Sequence, residues 1–135
     1  MISNPKHGWC NFELGDFHGT PSYLTNVPLD LLWAFKDRLY SGTGICWLDE
    51  EGSEFTLVLT PYSIFIIEEK EKPVLHNFSE MNIDDLVKEV VADIESNIEE
   101  WSEFDAFYNG ADDEYIEFNK SAILNLIKLI KRKWD

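Results

Sequence analysis

The sequence predicts an α+β fold in which an antiparallel β-sheet of about four to five strands packs with about three α-helices. Three observations carry that prediction. Residues 82–104, NIDDLVKEVVADIESNIEEWSEF, repeat their apolar positions with a helical period of 3.6. Residues 45–69 read as strands, broken by turn residues around Glu51-Gly52 and Pro61-Tyr62. Residues 123–134 return to the helical period. The chain of 135 residues shows no internal repeat, low-complexity tract or linker, so a single domain spanning 1–135 is expected.

Taken in order, residues 9–17, WCNFELGDF, have strand-like composition, with Trp9, Phe12 and Phe17 among polar positions. Gly19 to Asn26 is rich in turn residues. Asn26 or Val27 caps a helix with Pro28 in its first turn and Asp30 close behind. Leu31, Leu32, Phe35 and Leu39 form its buried stripe, Trp33 lies at the margin, and Gly42 suits the left-handed residue that ends it. ICWLD (45–49), EFTLVLT (54–60) and SIFIIEE (63–69) then form an antiparallel meander, with VLHNF (74–78) as a short fourth strand. Phe55, Leu57 and Leu59 point to one face of the middle strand, and Thr56, Val58 and Thr60 to the other. The near-continuous run Ile64-Phe65-Ile66-Ile67 suggests a strand covered on both faces.

One long helix is expected over Asn82–Phe104. Asn82 is its N-cap, Asp85 the capping-box acid, and Met81 can staple onto Leu86. Ile83, Leu86, Val87, Val90, Val91, Ile94, Ile98, Trp101 and Phe104 share one stripe, and the opposite half is acidic with Lys88 as its one cation. Like-charge pairs at i,i+4 cost roughly 1–2 kcal/mol in total. Burial of the stripe contributes about 1.5–3 kcal/mol per large side chain, so packing wins. A last helix, from Asp113 or Ser121, carries Ile123, Leu124, Ile127, Ile130 and Trp134 on one face. Lys128, Lys131, Arg132 and Lys133 gather in its last turns, where the helix dipole favours cations.

A net charge of −15 argues against binding a phosphate backbone or an anionic membrane and suits a basic protein partner. The N-terminus lacks a basic-then-apolar signal pattern and no apolar run reaches the ~18 residues of a span, so a soluble, cytoplasmic protein is expected. Cys10 and Cys46 read as small buried hydrophobes, either free or paired. His7, His18 and His76 have no metal-ligand spacing, and Asp49-Glu50-Glu51 with Glu54 lacks the spacing of a calcium loop. Gly42-Thr43-Gly44 has no phosphate-loop lysine. Neither a metal, a cofactor nor a catalytic residue is therefore expected.

Charge is unevenly spread. Glu80 to Asp105 holds ten acids and one base, Asp112 to Glu117 adds four acids, and Lys120 to Asp135 is net +4. Either the basic end folds back and neutralises the acidic helix, or the acidic face stays open to a cationic partner. Tyr108 and Tyr115, among or beside the loop carboxylates, are suited to receive Arg or Lys. The expected partner-binding residues are Glu95, Glu99, Glu100, Glu103, Tyr108, Asp112, Asp113, Glu114 and Tyr115. In size and acidity, with Glu95, Glu99, Glu100, Glu103, Asp112, Asp113 and Glu114 as its acidic surface, the chain resembles the immunity proteins of bacterial toxin–immunity systems, including contact-dependent inhibition. The resemblance is of type, not of motif. It implies a non-enzymatic inhibitor that binds a cognate basic toxin domain, such as a nuclease. Two alternatives are a small enzyme or ligand-binding protein with a site on the sheet near Cys10, His18 or His76, and a structural homo-oligomer joined through Trp134 and the last helix.

Overall fold

The computed structural model describes residues 1–106 and 112–134, and these described residues form two antiparallel sheets and four helices. The first sheet joins β1 (Ile2–Lys6), β2 (Trp9–Leu14) and β3 (Phe17–Gly19) in that order. The second joins β4 (Gly44–Asp49), β5 (Glu54–Leu59), β6 (Ile64–Glu69) and β7 (Val74–Asn77), also in chain order. The helices are α1 (Val27–Ser41), α2 (Ile83–Glu95), α3 (Ile98–Ser102) and α4 (Asp113–Lys131). The α+β class read from the sequence holds, with the strands divided between two sheets.

The additional strands have local explanations. β1 is an edge strand containing Pro5, and its register with β2 is interrupted between Ser3 and Lys6, where Asn4 takes φ 53°. An edge position tolerates a proline because no neighbour needs its missing N–H. The strand-like run 9–17 turns at Gly15-Asp16, with Leu14 opposite Phe17 and Gly15 at φ 57°.

α1 follows the sequence signals closely. Asn26 accepts from the Leu29 N–H at 3.4 Å, Pro28 lies in the first turn, and Gly42 closes the helix at φ 91° with its N–H on the Arg38 carbonyl. Its buried residues Leu31, Leu32, Ala34 and Phe35 join the core. That core lies on the inner face of the second sheet, formed by Cys46, Leu48, Phe55, Leu57, Leu59, Ile64 and Ile66. Phe12 and Phe17 of the first sheet meet Phe55 at ring-centroid distances of 5.1 and 5.0 Å, which joins the two sheets.

Two expectations from the sequence are corrected. The single helix over Asn82–Phe104 is broken: α2 ends at Glu95 and α3 starts at Ile98. Asn97 leaves the helical region at φ −145° and ψ 43°, while the Ser96 hydroxyl donates to the Asp93 carbonyl at 2.9 Å. Short polar side chains that bond the nearby backbone compete with helix continuation in this way. The helical stripe survives the break, because Leu86, Val87, Val90, Val91, Ile94 and Trp101 are all buried. The second correction concerns β6. Its inner residues Ile64 and Ile66 are buried, but Phe65 and Ile67 are only half-buried, so the strand is not covered on both faces.

Candidate functional site

The expected acidic surface is assembled by α2, α3 and α4. The basic helix covers part of it: Lys131 reaches Glu95 at 2.8 Å and Lys120 pairs with Glu99. Both pairs are surface pairs, worth at most about 1 kcal/mol each. Among the described residues, Glu100, Glu103, Asp113 and Glu114 form no ion pair. Glu100 accepts from the Asn97 side chain at 3.1 Å, and both Glu100 and Glu103 line a cavity of about 240 Å³ with Pro5, Lys6 and Ile116. Asp112 is committed to its helix, accepting from the Tyr115 N–H at 3.0 Å as N-cap. Asp113 and Glu114 sit exposed in that helix's first turn, where the dipole favours them. Tyr108 lies outside the described residues.

Tyr115 is 38% exposed and also makes a contact within the chain. Its hydroxyl donates to Asp105, and burial, followed by the Asp105 hydrogen bond, pushes it up to about 12. Burial also raises Asp105, against the lowering effect of that hydrogen bond. Burial first, and the Asp105 charge second, raise Asp30 in α1 to about 6. Asp30 and Asp105 are both half-buried, and the Asp105 charge acts on Asp30. The unfolded Asp30 titrates near 3.8 and the folded one near 6, so the folded state holds the proton longer. Stability from this group is therefore full below pH 3.8 and falls as pH rises to about 6. Asp30→Asn is expected to raise the urea midpoint at pH 7.5 and leave it unchanged near pH 3.5. The gain is about 1 kcal/mol once solvent screening of a half-exposed group is allowed for. Equal effects at the two pH values would show that Asp30 carries no such shift.

Cys10 and Cys46 are free and buried; burial pushes the Cys10 thiol up to about 12 and raises Cys46 further, with Asp30 adding to the effect. A thiol so displaced is not a thiolate at neutral pH. The Cys10 thiol donates to the Pro21 carbonyl at 3.7 Å. His76 bonds Glu68, which holds that carboxyl below its ordinary value, while His18 is exposed on β3. Among the described residues, no group of three or more His, Cys, Asp or Glu is placed to hold a metal ion. No described helix is long and apolar enough to cross a membrane.

The surface that sequence reasoning missed is aromatic. Trp9 and Trp47 lie within apolar patterns that suggest core and Trp33 at the margin of its helical stripe, yet they are 37%, 46% and 47% exposed, and only Trp101 is fully buried. For Trp47 a signal was present: in ICWLD the buried parity is Cys46 and Leu48, which turns Ile45 and Trp47 outward. No protein-family model matches this sequence, and no curated protein or solved structure matches it either.

Proposed function

We propose that the chain is a protein-binding module that inhibits a basic protein without chemistry of its own, in the manner of a toxin-neutralising immunity protein acting in the bacterial cytoplasm. One observation carries this reading. After the C-terminal helix has paired with Glu95 and Glu99, Glu100 and Glu103 on one side and Asp113 and Glu114 on the other form no ion pair among the described residues, and Lys6 is the one lysine beside the first two. Such a field accelerates encounter with a cationic surface and fades with salt. The two paired residues are then secondary, because a partner must displace Lys120 and Lys131 to reach them.

The test uses the basic protein that an affinity pull-down with this chain recovers and mass spectrometry identifies. Glu100→Lys with Glu103→Lys is expected to slow association about tenfold and flatten its salt dependence. The circular dichroism spectrum should not change, since both side chains are exposed. Association and salt dependence unaltered by this change would reject the acidic-surface model.

A further inference from the structure

The outer face of the second sheet is apolar where a solvated face is ordinarily polar. The strand register places Ile45, Val58 and Phe65 in one cross-strand row, and Trp47, Ile67 and Leu75 in the next with Thr56 between them. Ile45 is 67% exposed and Leu75 60%. The helices that cover this sheet do so from its other face, where Gly44 lies against the Ala34 backbone. One row further along, Asp49, Glu54 and Glu69 stand side by side across three strands. Like charges placed directly opposite one another destabilise a sheet. The neighbouring Lys70 pairs with Glu68, outside this row.

We propose that this face docks a cationic protein surface, whose large apolar side chains cover Ile45, Trp47 and Leu75 and whose Lys or Arg side chains reach Asp49, Glu54 and Glu69. The proposal rests on the protein-binding reading above but assigns a separate face. Two arguments select this occupant over a second copy of the chain. Each copy carries a net charge of −15, so self-association brings like charges together. The apolar residues also fill six of the eight positions in these two rows, Asn77 ending the first row, which is roughly 200 Å² at ordinary strand spacing. A stable interface covers about 800 Å² per partner, so the occupant must extend over the rim. At the β4–β5 end that rim is the carboxylate row, which adds affinity only if the partner is basic.

The experiment is an amide-shift titration of the labelled full chain with a synthetic peptide of alternating leucine and lysine, and with its leucine–glutamate counterpart. The leucine–lysine peptide is expected to give saturable shifts at residues 45, 47, 58, 65, 67 and 75, and the acidic peptide none. Ile45→Thr with Leu75→Thr leaves charge unchanged and places a β-branched residue at each of two exposed strand positions. It should weaken this binding about tenfold while the spectrum elsewhere stays that of the folded protein. Asp49→Asn with Glu54→Gln and Glu69→Gln should weaken it comparably. Shifts confined to α2, α3 and α4 would overturn the sheet proposal and leave the acidic-surface reading standing. Sheet-face shifts that grow with protein concentration in the absence of peptide, with a doubled sedimenting mass, would assign the face to a second copy and overturn the proposal.

Discussion

Gly44→Ala is expected to cost about 3 kcal/mol or more and to lower the melting temperature by about 10 °C. A methyl group built on Gly44 would lie 2.0 Å from the Ala34 carbonyl oxygen and 2.8 Å from its carbon. Both are backbone atoms of α1, so no rotamer change relieves the overlap. Moving the helix is also costly, because it is fastened at two points beyond the contact, toward its C-terminus. Gly42 closes it with a left-handed residue two positions before Gly44, and the Arg38 side chain donates to the Thr60 carbonyl at 2.8 Å. Gly19 offers a contrast: a methyl there meets the Phe55 ring at 2.6 Å, and a side chain can yield where a backbone cannot. Urea denaturation of the two alanine variants checks the difference. A Gly44→Ala variant as stable as the parent would mean that α1 does not lie this close to β4.

The sequence made α1 legible because its signals are local. Asn26, Pro28 and Gly42 act on the backbone within a few residues of themselves, so their roles are the same before and after folding. The meander of β4 to β7 was legible for a similar reason, since alternation and turn residues fix its register. β1 was not, because Asn4 and Pro5 look like a turn and only the neighbouring β2 makes them a strand edge. The break at Ser96–Asn97 was masked by an apolar stripe that continues across it. The candidate surfaces divide along the same line. Composition reveals the acids of 95–103 and 112–114. That Lys120 and Lys131 neutralise Glu99 and Glu95 rather than other acids depends on how α4 crosses α2 and α3. For β6, apolar residues of both parities showed two faces needing cover, and no local signal could say that this chain covers only one.

Asn119→Leu is expected to cost about 2–4 kcal/mol although the two side chains have nearly the same volume. Asn119 is 3% exposed and sits at a junction of three helices. Its amide donates to the Ser102 carbonyl at the end of α3 at 2.7 Å, and its carbonyl accepts from Asn26, the N-cap of α1, at 2.8 Å. Leucine fills the space and satisfies neither group, and a buried carbonyl without a donor loses its hydration with nothing in return. Asn26→Ala removes the cap and also leaves the buried Asn119 carbonyl without its donor, so it should cost about 2–3 kcal/mol. Because both substitutions break the same Asn26–Asn119 bond, the double variant should lose less than the sum of the two. An additive result would mean that Asn119 acts only through Ser102. The junction also bears on the acidic surface, since α3 carries Glu99 and Glu100 while α4 carries Asp113 and Glu114. Loosening their common anchor should therefore slow association with a basic partner even though Asn119 itself is buried. That loss should track the loss of stability, and in Glu100→Lys with Glu103→Lys it should not.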